Sequence, residues 1–331
     1  MRVFDWLDFL GLRAESHTYL GGSDNSVRSL ASKFPSILAA ESNLRSLVDN
    51  VADSSLLMSR RASPFSRGGI EEQLLRGAKH SVYDFDDAIN LARPDAIGRL
   101  FRPDVQWRKA VEAAHTVIAG NDWLGEAASQ HSNSVVVIPS CVEPAMYTEK
   151  KEYGTSPTPR AVWLGSPATE RYLRKIQSAL LMANKTTGLR LTVISAGDDD
   201  LGVLGAMVDR VKWTLDTFPG HLASADFGIM PLDNEPWARG KCAYKLLQYG
   251  AAGLPMIGDP VGANARVLRL AGGTAPTSTD EWTDALVGMA RMDATDAAKS
   301  GGAAREAVIR HYSFGAWRSE WLAALRLDKA A

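Results

Sequence analysis

Short apolar runs alternate with stretches of helical period along most of the chain, and that alternation predicts a parallel sheet wrapped by helices. In the first half the runs at 56–58, 81–85, 116–119 and 134–138 read as strands. In the second half those at 161–164, 189–194, 227–230 and 254–257 do. Between the halves, residues 148–160 are polar and rich in Pro, Ser and Thr, and read as a linker. From about Asp280 the pattern turns helical and closes on an aromatic-rich segment with Tyr312, Phe314, Trp317 and Trp321. The expected divisions are therefore 1–148, 149–310 and 311–331, with two doubly wound α/β domains as the fold class.

The second half carries the candidate chemistry. The loop 231–241 follows the run 227–230 and delivers the chain into a helix, along which Ala243, Leu246, Leu247, Gly250 and Ala251 recur at i, i+3, i+4, i+7 and i+8 as a buried stripe. Lys241, Tyr244, Lys245 and Gln248 fall on another face of the same helix, and Gly253 stops it. Two ammonium groups at a helix start, beside the fork donor Arg239 and the unhindered Gly240, suit a diphosphate. A solvated basic face is the plainer reading of two lysines four apart; the glycine, the arginine and the strand before them favour an anion site. Gly165-Ser166-Pro167-Ala168-Thr169 follows the run 161–164, so Gly165, Ser166 and Thr169 either begin a helix or bond a phosphate there. Gly240-Lys241-Cys242 is no P-loop, because Cys242 replaces the hydroxyl residue and Glu235 stands where the first glycine belongs.

The first half is less informative. Gly22 and Ser23 form a glycine-rich turn, and Asn121 leads into a helical pattern as a cap or a ligand. Asp84, Asp86 and Asp87 end the run 81–85, which is costly unless they are solvated, paired or functional.

Bulk properties narrow the partners. The 331 residues carry 37 basic and 38 acidic side chains, a net charge of −1 that gives no reason to expect nucleic acid. Cys141 and Cys242 lie far apart with no partner at metal-ligand spacing, as in a reducing compartment. The start Met1-Arg2-Val3-Phe4-Asp5 lacks the features of a signal peptide, and no apolar stretch is long enough to span a bilayer. A cytoplasmic protein without a transmembrane segment is expected, with room for peripheral membrane contact.

The segments Asp226-Phe227-Gly228-Ile229-Met230-Pro231-Leu232, Arg239-Gly240-Lys241-Cys242, Lys245-Leu246-Leu247-Gln248-Tyr249 and Ala252-Gly253-Leu254-Pro255 resemble the donor-binding half of group 1 (family 4-like) glycosyltransferases. Three more fit the same family in order: Val117-Ile118-Ala119-Gly120-Asn121, Val135-Val136-Val137-Ile138-Pro139-Ser140 and Trp163-Leu164-Gly165-Ser166-Pro167. The resemblance implies the GT-B fold, two Rossmann-like domains facing across a cleft, with the final helix crossing back to the first. It also implies a nucleotide diphosphate-sugar donor and transfer to an acceptor with retention of anomeric configuration. The acceptor would be a glycan, a lipid-linked sugar or a small metabolite, and no cofactor or metal is implied.

Donor contacts would come from Gly165, Ser166, Thr169, Arg239, Gly240, Lys241, Lys245 and Gln248, with Gly22, Ser23 and Asn121 on the acceptor side. Asp86 and Asp87 stand where the family often has a histidine facing the donor sugar, and are the catalytic candidates. The chain departs from the family at its paired glutamates: Gly240 occupies the first position and Gln248 the second, while Glu235 lies five residues early. Three other readings stay open. One is a GT-B nucleotide-sugar epimerase, another a non-catalytic nucleotide-sugar-binding protein. The third is a haloacid dehalogenase-type phosphatase with Asp84 as nucleophile, Gly197-Asp198-Asp199 as its later motif and a Mg²⁺ requirement.

Overall fold

A computed structural model describes residues 2–19, 34–91, 100–154, 158–198 and 200–327. The chain forms two compact units, Met1–Pro139 with Arg318–Ala331, and Ser140–Trp317.

In the first unit, strands β1 (Ser55–Ser59), β2 (His80–Phe85), β3 (Thr116–Ala119) and β4 (Val135–Val137) form a parallel sheet in that order. The helices Gly69–Gly77, Pro103–Ala113 and Asp122–Ser129 make the crossovers. All six residues of β2 are buried, the polar His80, Ser81 and Asp84 among them, so these side chains need partners within the fold. The loop after β1 is pinned by the buried Glu71 carboxylate, which accepts from Ala62 N, Ser63 N and Gln106 Nε2. The last helix, Arg318–Ala324, belongs to this unit, where Trp321 stacks on Trp6 at 5.1 Å between ring centres.

The second unit holds β5 (Arg160–Leu164), β6 (Arg190–Ser195), β7 (Val208–Lys212), β8 (Phe227–Met230) and β9 (Met256–Gly258), parallel in the order β7-β6-β5-β8-β9. Alternation along the strands feeds two cores. Val162, Leu164 and Met230 join one with Leu246, Leu247 and Tyr249, while Ala161, Trp163, Phe227 and Ile229 join the other. The chain winds outward from β5 through β6 to β7, then returns to lay β8 on the opposite side of β5. The β5–β8 ladder comprises only Ala161↔Phe227 and Val162↔Gly228. Beyond it the two strands diverge, which makes this the topological switch point of the sheet, where such sheets bind ligands outside their carboxyl ends.

Two features differ from the sequence expectation. The edge strand β7 has the sequence Val-Asp-Arg-Val-Lys, whose charges mask it as a loop. The division between the units falls at Pro139/Ser140 and at Trp317/Arg318 rather than at 148/149 and 310/311. The reason is that the polar segment has partners in the second unit: Lys150 N donates to Ala252 O and Tyr153 Oη to Gly253 O. Tyr312 is likewise buried in that unit's core, and Val142 N donates to its carbonyl. Among the described residues no helix is long and apolar enough to cross a membrane; Cys141 is buried and Cys242 half-buried.

Candidate functional site

The helix Tyr244–Ala251 presents Lys245 and Tyr249, one turn apart, to the end of β5. The backbone N–H of Leu164 donates to the Tyr249 hydroxyl at 3.0 Å, and that hydroxyl donates to Ile229 O at 3.1 Å. A single phenol therefore joins β5 to β8 where their ladder has ended. Above it Lys245 Nζ lies 5.3 Å from the centre of the Trp163 ring. Lys245 has neither a hydrogen bond nor a carboxylate partner among the described residues. Burial first, and then the charge of Lys241, push its ammonium down to about 8. Gln248, one turn further, is only 7% exposed, and its side chain makes no hydrogen bond among the described residues.

Gly165 closes the end of β5. A Cβ there would come within 2.5 Å of the Trp163 ring and 2.8 Å of Lys245 Cε, so the position admits no side chain. Ser166 is exposed and precedes the 3₁₀ turn Pro167–Thr169 without a side-chain cap; Thr169 Oγ1 donates to its carbonyl at 2.9 Å. Behind this turn the buried Glu170 carboxylate takes Arg210 Nη2 at 2.9 Å, while Arg210 Nη1 also donates to Gly197 O at 3.2 Å. Glu170 thereby ties the β5 loop to β7 and to the end of β6. Burial alone would raise its carboxyl, but hydrogen bonds from Arg210 and Ser195 hold it below the usual range.

The loop expected over 231–241 contains a short helix, Pro236–Arg239, and the main helix begins at Tyr244, later than the sequence pattern placed it. Lys241 lies in a turn before the helix, because Ala243 takes a left-handed conformation (φ 56°) that breaks the helical path between them. Lys241 still acts electrostatically on Lys245. Arg239 ends the short helix Pro236–Arg239, with its Nε on Asn234 Oδ1 at 3.0 Å. Gly240 is buried with an ordinary φ of −76°, so the turn asks no left-handed freedom of it. Glu235 does not cap that helix. Its Oε1 accepts from Arg171 Nη2 at 3.1 Å and Tyr172 Oη at 3.3 Å, tying the loop after β8 to the helix after β5.

In the first unit, Asp86 and Asp87 both meet Arg60, whose Nη2 lies 2.7 Å and 2.9 Å from their carboxylates. Arg60 follows β1 in a left-handed conformation with φ 61°. Asp84 is buried and paired with Arg2 at 2.9 Å. Burial pushes its carboxyl up while Arg2 draws it down. A nucleophilic role for Asp84 does not fit this burial and pairing, and Asp199 of the supporting motif lies outside the described residues, as do Gly22 and Ser23. Asn121 caps its helix, accepting from Leu124 N at 2.9 Å. Sequence reasoning missed Trp163, Tyr249, Glu170, Arg210 and Arg60. The only available signals were the aromatic four residues after Lys245 and the glycine inside the run 227–230.

No protein-family profile and no curated protein matches the chain. Solved structures do match. TarM of S. aureus aligns with a TM-score of 0.66 at 13% identity, over 86% of this chain and 57% of TarM, so the chain spans little more than half of that protein. HepE from Anabaena, in complex with UDP and glucose, aligns with a TM-score of 0.63 at 13% identity over 99% of this chain and 87% of HepE. A UDP-forming trehalose-phosphate synthase from Burkholderia xenovorans aligns at 0.62 and 13% identity, covering 89% of this chain and 80% of the synthase. These neighbours are GT-B glycosyltransferases, and the fold of this chain is GT-B.

Proposed function

We propose that the protein is a glycosyltransferase whose second unit holds a nucleotide diphosphate-sugar at the β5–β8 switch point. The observation that carries this reading is Lys245, a cation with no carboxylate partner among the described residues, set at the carboxyl edge of the sheet beside Lys241. A diphosphate supplies the missing negative charge, and Lys245, Lys241 and Arg239 neutralise it as the leaving group departs. Gly165 lets the β5 backbone approach that group, with the hydroxyls of Ser166 and Thr169 and the backbone of Gly240 in support. The unpartnered amide of Gln248 is placed to bond ribose hydroxyls. The bound UDP of HepE and of TarM favours a uridine donor. Retention of configuration follows from the resemblance noted in the sequence.

Asp86 and Asp87 are proposed to act on the sugar side, held by Arg60 as hydrogen-bond acceptors. The acceptor is a glycan, a lipid-linked sugar or a small metabolite, and the N-terminal unit, with Gly22, Ser23 and Asn121, is its proposed seat. A cytoplasmic location fits a chain with only two cysteines, far apart in sequence. The test is a thermal-shift panel of nucleoside diphosphates and nucleotide sugars, followed by NMR of the product anomer. A ligand at 100 times its dissociation constant adds about 2.7 kcal/mol. No shift with any of them would overturn the reading, and transfer that survives EDTA is expected. A second reading, binding without transfer, is favoured by Glu235, whose carboxylate is engaged by Arg171 and Tyr172. Donor binding without sugar transfer to any acceptor class would support it.

A further inference from the structure

The donor reading leaves one physical problem. An ammonium near buried surface normally has a carboxylate beside it, and Lys245 has none among the described residues. Its neighbour is instead an aromatic face. Trp163 belongs to the core on one face of the sheet, and the helix bearing Lys245 packs against the core on the other. The lysine therefore crosses the carboxyl edge of the sheet to reach the indole at 5.3 Å. Gly165 is part of the same arrangement, since a Cβ there would meet the ring at 2.5 Å and the lysine Cε at 2.8 Å.

Resting on the donor reading, we propose that Trp163 is a positioning residue for donor binding: its indole holds the Lys245 ammonium extended across the sheet edge in place of a carboxylate. The distinction matters chemically. A carboxylate would cancel the charge and occupy the N–H donors, so an incoming phosphate would have to displace it. An indole face attracts a cation through its quadrupole yet accepts no strong hydrogen bond. Held this way, the ammonium keeps its charge and its three donors for phosphate oxygens. The charged group that acts on it is Lys241, which adds attraction for an anion but opposes the ammonium in the free protein. The indole is the group that offsets this repulsion until a phosphate arrives.

The test keeps shape and changes only the ring's electrostatics. Fluorinated tryptophans placed site-specifically at 163 should weaken UDP binding stepwise with each added fluorine, by about two- to thirty-fold in total. The Lys245 ammonium, followed by NMR, should titrate at progressively lower pH along the same series, which a merely structural role would not produce. Trp163→Phe, with a weaker ring quadrupole, should fall between. Melting curves report whether each variant folds, and the fluorinated series serves if Trp163→Phe does not. Equal UDP affinity and an unmoved Lys245 titration across the series, with Lys245→Ala still weakening UDP, would sink the positioning role and leave the donor site standing. If wild type fails to bind UDP, or Lys245→Ala binds it unchanged, the donor reading falls and takes this inference with it.

Discussion

Gly228 carries no side chain where the ring of Tyr249 stands; a Cβ on that glycine would lie 2.4 Å from the ring. This close approach lets the Tyr249 hydroxyl reach between β5 and β8 and serve both Leu164 N–H and Ile229 O. Tyr249→Phe keeps the ring and removes the hydroxyl, leaving a buried donor and acceptor unpaired. A loss of about 1–3 kcal/mol is expected, a fall of roughly 2–12 °C in melting temperature. Calorimetry of the variant checks it, and an unchanged melting point would mean that the strands do not depend on the phenol. Gly228→Ala should be worse, since the ring has to move.

Lys245 should show opposite pH signs in binding and in stability. Its ammonium titrates at about 8 in the fold against about 10.4 unfolded. Donor binding needs the charged form, so UDP affinity should fall as pH rises through the folded value. The unliganded fold prefers the neutral form. Its stability should therefore be lowest, with respect to this group, below pH 8, and should rise between 8 and 10. Lys245→Ala should weaken UDP binding about 10- to 150-fold at neutral pH and abolish both pH effects. Titration calorimetry and melting curves across that range measure them together.

Arg210→Ala should destabilise the second unit by about 2–4 kcal/mol, because it leaves the buried Glu170 carboxylate without its cation. The native Glu170 carboxyl lies below its ordinary value, so its contribution is present above the unfolded value and fades as pH falls through the folded one. The deficit of the variant should accordingly shrink in acid. A constant deficit from pH 7 to pH 3 would show that the loss comes from packing alone.

Asp86→Asn and Asp87→Asn should each lower kcat far more than they change the dissociation constant for UDP. Arg60 is half-exposed, so breaking its pairs should cost no more than about 1 kcal/mol. A large fall in melting temperature with turnover intact would reassign these carboxylates to structure.

Much of the architecture was legible because buried parallel strands are continuous apolar runs. β8, buried along its whole length, reads as such a run, and β2, also wholly buried, is visible over 81–85 through Val82, Tyr83 and Phe85 despite Asp84. β7 was hidden for the converse reason: it pairs only with β6, and its free edge carries Asp209, Arg210 and Lys212. The site was legible by residue type but not by contact. The helical stripe correctly assigned Leu246 and Leu247 to the core, yet it also drew Lys241 into the helix, since periodicity cannot register one left-handed residue at Ala243. The pairing of Trp163 with Lys245 was beyond reach, because the two are 82 positions apart in sequence (245 − 163) and rooted on opposite faces of the sheet.

The stacking of Trp6 on Trp321 bears on how the polypeptide is made. The unit that begins the chain is completed by Arg318–Ala331, so its core cannot close while the intervening stretch Ser140–Trp317 is still being translated. At about 5–20 residues per second the nascent first unit waits on the order of 10–40 s with the indole of Trp6 uncovered. The stretch made later is continuous and has its own strands and cores, so it can fold as soon as it leaves the ribosome. The unit synthesised first is thus expected to be the one completed last.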